Sequence, residues 1–80
     1  MKLDIITPEQ IYFSGDVTSV TLPGKNGLFT LWENHAPIIS SLKAGKLTYS
    51  VNNQESELTI DGGFVEVNNN CVTICLEAVS

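Results

Sequence analysis

The chain has 80 residues and a mass of 8.7 kDa, room for one hydrophobic core and not two. Hydrophobic residues make up 42% and charged residues 16%, a balance that folds rather than one that stays disordered. Four Lys, no Arg and nine Asp plus Glu give a net charge of -5, so the basic cluster that a phosphate backbone requires is missing and nucleic acid is excluded as a partner.

Strands are expected in chain order near residues 2–6, 10–14, 17–23, 28–32, 38–42, 46–52, 56–61, 63–68 and 71–77. The second holds Ile11-Tyr12-Phe13, the longest apolar run, far short of the roughly 20 residues of a transmembrane helix. Ser14-Gly15-Asp16 reads as a turn, and in the next strand Val20 and Leu22 alternate with Ser19 and Thr21. Pro23-Gly24-Lys25-Asn26-Gly27 reads as an exposed hairpin tip leading into 28–32, and Glu33-Asn34-His35-Ala36-Pro37 separates that strand from 38–42. After Lys43-Ala44-Gly45, the apolar side chains Leu47, Tyr49 and Val51 alternate with polar ones up to the turn Asn52-Asn53. Leu58 and Ile60 continue the pattern, and Asp61-Gly62-Gly63 reads as a tight hairpin turn. Val65 and Val67 flank Glu66, Asn68-Asn69-Asn70 turns the chain, and Val72, Ile74 and Leu76 share one side of the last strand. Period-2 alternation marks half-buried strands of an antiparallel sheet, and turn signals every 7 to 12 residues or so indicate an all-β sandwich or barrel.

The N-terminus lacks the apolar stretch of a signal peptide, and Asp4 follows almost at once, so a cytosolic chain is expected. Cys71 and Cys75 would lie about 13 Å apart on one strand face, beyond the roughly 7 Å between Cα atoms that a disulfide spans. Two free thiols suit a reducing compartment. The whole net charge falls in residues 47–80, where Glu55, Glu57, Asp61, Glu66 and Glu77 stand without a base. That region is a solvated face or a bias toward a basic partner.

No catalytic set emerges. His35 is the only histidine and has no orienting third group beside Ser40, Ser41 or a cysteine. His35, Cys71 and Cys75 lack the close spacing of a structural zinc site, so no metal is expected. Asp61-Gly62-Gly63 is followed by strand rather than helix residues, which removes the phosphate-cradle reading, and no cofactor is expected. Glu55 and Glu57 share a strand face as solvated carboxylates. Trp32, the sole tryptophan, is either a core residue or an exposed interface anchor. From pattern alone the chain is a small β domain that binds or scaffolds.

The motif order extends this reading. Leu3-Asp4-Ile5-Ile6-Thr7-Pro8, Phe13-Ser14-Gly15, Val20-Thr21-Leu22-Pro23-Gly24 and Gly27-Leu28-Phe29-Thr30-Leu31 precede Asn34-His35-Ala36-Pro37-Ile38-Ile39-Ser40-Ser41-Leu42. Gly62-Gly63-Phe64-Val65-Glu66-Val67 and Asn70-Cys71-Val72-Thr73-Ile74 close the series. Together they resemble the N-terminal domain of the epsilon subunit of bacterial F-type ATP synthase, over essentially the whole chain. The resemblance implies a single antiparallel β-sandwich domain of about ten strands spanning residues 1–80. It implies a non-catalytic rotor subunit that links the gamma subunit to the membrane c-ring, couples ion-driven rotation to ATP synthesis, and meets the inner membrane at its cytoplasmic face only through the complex. By position, Lys25, Asn26, Gly27 and Leu28 match the ring-facing hairpin. His35, Ala36, Pro37, Ile38, Ile39 and Ser40 match the gamma-facing region, with Thr7 near that side. The family often has a polar residue where Leu28 stands and usually proline where Glu33 stands. The sequence ends at Ser80, so the family's C-terminal helical hairpin, its inhibitory movement and its nucleotide-binding motif are not expected. Two other readings stay open: a free-standing adaptor with an aromatic-lined pocket, and a small enzyme centred on His35.

Overall fold

The structure, a computed structural model, describes residues 1–77; Ala78, Val79 and Ser80 lie outside the described residues. The period-2 patterning becomes nine strands among them: β1 (Lys2–Ile6), β2 (Ile11–Asp16), β3 (Ser19–Gly24), β4 (Gly27–Trp32), β5 (Ile38–Leu42), β6 (Gly45–Val51), β7 (Gln54–Ile60), β8 (Gly63–Asn68) and β9 (Cys71–Leu76). The all-β expectation is met, with nine strands rather than about ten.

The strands hydrogen-bond in the order β2-β1-β9-β8-β5-β3-β6-β7, with β4 on β3. β5 and β3 share one bridge, Gly24 with Leu42. There the sheet folds over, and two halves face each other. Leu3, Ile5, Val65, Val67, Val72 and Ile74 enter the core from one half; Val20, Leu22, Leu31, Leu47, Leu58 and Ile60 enter from the other. Each buried side chain of this kind contributes about 1.5–3 kcal/mol, and together they hold the sandwich closed.

Three local readings are corrected, and one left open, that of Trp32, is resolved. Ser14-Gly15-Asp16 is no turn: Ser14 pairs with Asp4 and Asp16 with Lys2 inside β2, and the chain turns afterwards at Val17 and Thr18. Asp61-Gly62-Gly63 is no hairpin, because β7 pairs only with β6 whereas β8 pairs with β5 and β9. It carries the chain between the two halves. A Cβ on Gly63 would stand 2.1 Å from the Cys75 carbonyl oxygen, so the glycine permits the close backbone approach there. The sheet is also not wholly antiparallel: β1 runs parallel to β9, which places the N-terminal strand between β2 and the last strand. Trp32 is not core; it is 62% exposed on β4.

The turn readings at the asparagine pairs agree with the structure. Asn52-Asn53 joins Val51 to Gln54, and Asn69-Asn70 joins Asn68 to Cys71. All four turn residues have positive φ, from 51° to 65°, as two-residue hairpin turns that follow strand twist require, and asparagine tolerates that conformation.

Candidate interaction surface

Three features on the outside of the sandwich bear on function. The first is the β3–β4 hairpin tip. Gly24 pairs with Gly27, leaving Lys25 and Asn26 at the apex. Gly27 has φ of 126°, which a side chain would strain. Gly24 is buried, and a Cβ there would lie 2.6 Å from the Phe29 ring, so Phe29 packs on the hairpin backbone. Phe29 also packs against the core, while Leu28 next to it is 71% exposed. Alternation therefore points Leu28 outward, away from the core. Gly24, Lys25, Asn26, Leu28 and Phe29 line an open cleft of ≈ 250 Å³ together with Ser40.

The second is the segment around His35. Asn34 has φ of 61°, and its N–H donates to Asn70 Oδ1 at 2.7 Å. His35 is exposed, with Nδ1 2.7 Å from the Ala36 carbonyl oxygen. Ser40 Oγ instead donates to the Ser41 carbonyl at 3.3 Å. His35 and Ser40 are near in sequence, yet β5 carries them apart: Ser40 joins the hairpin tip, whereas His35 stays with the β8–β9 turn. No described polar or charged side chain is buried, and no described group of three or more His, Cys, Asp or Glu could hold a metal.

The third feature was not legible in the sequence. Register across β5, β8, β9, β1 and β2 sets side chains in rows on the outer face. One row runs Ser41, Phe64, Cys75, Ile6 and Ile11; the next runs Ile39, Glu66, Thr73, Asp4 and Ser14. Phe64 is 50%, Ile11 68% and Ile39 76% exposed. These three, with half-buried Ile6 and Cys75, form an apolar band across five strands. Polar groups border it: Ser14 Oγ donates to Asp4 Oδ1 at 2.6 Å, and Lys2 Nζ lies 4.0 Å from the same carboxylate. Pro37, Ile38 and Ile39 line an open cleft of ≈ 440 Å³ at one corner with Glu66. Thr7 closes the β1–β2 turn at the other end, its Oγ1 accepting from Gln10 N–H at 3.3 Å. Ile39, Pro37 and Thr7 thus border one face, to which Phe64, Ile6 and Ile11 are added. An exposed apolar band of this kind is a candidate interaction surface. Both cysteines are free.

Residues 1–80 match the family model described as ATP synthase, Delta/Epsilon chain, beta-sandwich domain. The chain is 46% identical over 80 residues to an ATP synthase epsilon chain of Chlorobium limicola, covering 99% of this chain and 91% of that protein. It is 36% identical over 74 residues to the epsilon chain of a Leptospira interrogans strain, covering 92% of this chain but 58% of that one. Among solved structures it resembles a chain of the Tetrahymena thermophila mitochondrial ATP synthase central stalk and c-ring, with TM-score 0.86, 19% identity and coverage of 99% of this chain and 64% of that chain. A chain of the Euglena gracilis mitochondrial ATP synthase gives TM-score 0.91 at 20% identity, with 98% and 51% covered.

Proposed function

This chain belongs to the delta/epsilon family of ATP synthase β-sandwich domains, and we propose that it acts as a non-catalytic subunit of the central stalk, joining the gamma subunit to the c-ring so that ion-driven rotation reaches the catalytic head. The observation that carries this reading is the family match over the whole chain together with identity to epsilon chains over nearly their full length in Chlorobium. The surface geometry supports a two-contact element. The tip Lys25-Asn26-Gly27-Leu28 takes the ring loops, and the apolar band around Ile39 and Phe64 takes gamma. The sandwich between them is a packed body that transmits torque without a flexible joint.

In this role the chain has no active site of its own. It stands at the cytoplasmic face of the bacterial inner membrane, held there through the complex. The test is purification of the intact synthase from membranes by a tag on this subunit. Gamma and the ring subunit are expected to co-purify in detergent; recovery of the tagged chain without either overturns the proposal.

A further inference from the structure

The rotor reading uses the tip and the outer face of one half. The outer face of the other half, built from β4, β3, β6 and β7, is unassigned. Register again sets rows across it: Trp32, Ser19, Ser50 and Glu55 in one, Thr30, Thr21, Thr48 and Glu57 in the next. The end strands are three spacings apart, about 14 Å at roughly 4.8 Å per strand. A floor of small hydroxyl side chains therefore lies between an aromatic wall on β4 and an acidic wall on β7. Trp32, Ser19, Ser50 and Glu55 line an open cleft of ≈ 580 Å³ here, with Thr18 and Asn53 at its end.

We infer that this cleft binds an extended basic segment of a partner protein, with an arginine or lysine side chain set between the Trp32 ring and the Glu55 carboxylate. Charge complementarity selects the occupant. Of the five acids in residues 47–80, Glu55 and Glu57 stand on this face, both on β7. Lys46 lies 3.8 Å from Glu57, which it partly neutralises, whereas no ion pair found among the described residues uses Glu55. The face of an exposed tryptophan attracts a cation, and a carboxylate opposite supplies the counter-charge. Ser19 and Ser50 are short enough to let a backbone lie flat and can exchange hydrogen bonds with it. This surface is separate from the apolar band and from the hairpin tip, so the inference goes beyond the rotor reading.

Because Trp32 is the only tryptophan, its emission reports the cleft directly. Titration of the purified protein with a synthetic hexa-arginine peptide should change that emission saturably, while neutral hexaglutamine should not. Glu55→Gln should raise the Kd about two- to fivefold, the scale of one exposed ion pair. Glu9→Gln makes the same change in net charge in the turn after β1 and should leave the Kd unchanged. Trp32→Leu, followed by calorimetry, should weaken binding about two- to fivefold through loss of the cation–ring contact. No saturable change, equal weakening by Glu55→Gln and Glu9→Gln, or full affinity in Trp32→Leu would each overturn the assignment, because attraction would then be diffuse over an acidic surface.

Discussion

The α-ammonium of Met1 donates to Glu33 Oε1 at 2.5 Å, although 32 positions separate the two residues. Asn70 Nδ2 donates to the other carboxylate oxygen at 3.1 Å, and Asn70 Oδ1 accepts from Asn34 N–H. A charged clasp thus ties β1, the segment after β4 and the β8–β9 turn together. Glu33 thus supplies the carboxylate that pairs with the Met1 ammonium and with Asn70.

The clasp predicts a pH dependence. The hydrogen bond from the Met1 ammonium, and then that from Asn70, hold the Glu33 carboxyl below its ordinary value of 4.5. A group whose folded value is depressed stabilises above its unfolded value and loses that contribution as pH falls through the folded one. Melting temperature should therefore fall as pH drops below 4.5, and Glu33→Gln should flatten that part of the profile. Thermal denaturation followed across the acid range checks this; parallel curves for the two proteins would contradict it.

Among the positive-φ glycines, Gly27 and Gly63 should respond unequally to alanine. At Gly27 nothing lies within 4 Å of an added Cβ, so only backbone strain remains, about 1–2 kcal/mol. At Gly63 the Cβ would meet the Cys75 carbonyl oxygen at 2.1 Å, and β8 must shift on β9. Gly63→Ala should cost about 2–4 kcal/mol, the range of severe single substitutions. Urea unfolding of both variants tests the order, and equal midpoints would mean that β9 yields freely.

The contrast between strand content and strand pairing explains what the sequence could reveal. Alternation at Leu47, Tyr49 and Val51 or at Val72, Ile74 and Leu76 reports local backbone and burial, and those strands stand where expected. Asp61-Gly62-Gly63 has the same turn chemistry whether the next strand pairs back or crosses to the other half, so the pairing was not legible. Trp32 was ambiguous because aromatic residues are enriched both in cores and at interfaces. The hairpin tip was readable from its two glycines, but the band of Phe64, Ile6 and Ile11 exists only through register between β8, β9, β1 and β2. The separation of His35 from Ser40 has the same origin.

At the tip, Leu28→Asp should leave the isolated protein's melting temperature nearly unchanged, because the side chain is 71% exposed. Binding to a purified c-ring should weaken by up to about 1.5–3 kcal/mol if the contact buries the leucine fully. Lys25→Ala should cost only about 0–1 kcal/mol, as a rim ion pair does. Surface plasmon resonance on ring in nanodiscs ranks the two. A larger loss for Lys25→Ala would reverse the reading, making the tip an electrostatic contact.

The apolar band makes the sharpest demand, because neighbouring residues on β8 face opposite ways. Phe64 is half-exposed in the outer row beside Cys75, whereas Val65 is fully buried opposite Ile74. Val65→Asp places a carboxylate in a core that buries no charged side chain among the described residues, and it should unfold the domain, since an unpaired buried charge exceeds what a core of this size can offset. Phe64→Asp meets water on the free protein and should stay within about 0.5 kcal/mol of the parent stability. Against gamma the ranking changes. Aromatic side chains near the centre of an interface commonly cost 2 kcal/mol or roughly more when lost, so Phe64→Asp should reduce affinity for purified gamma about thirtyfold or more. Calorimetric titration of gamma with the folded Phe64→Asp protein, after its melting curve is matched to the parent, separates contact from stability. Undiminished gamma binding by that folded variant would remove the band from the interface and leave the hairpin tip as the surface to pursue.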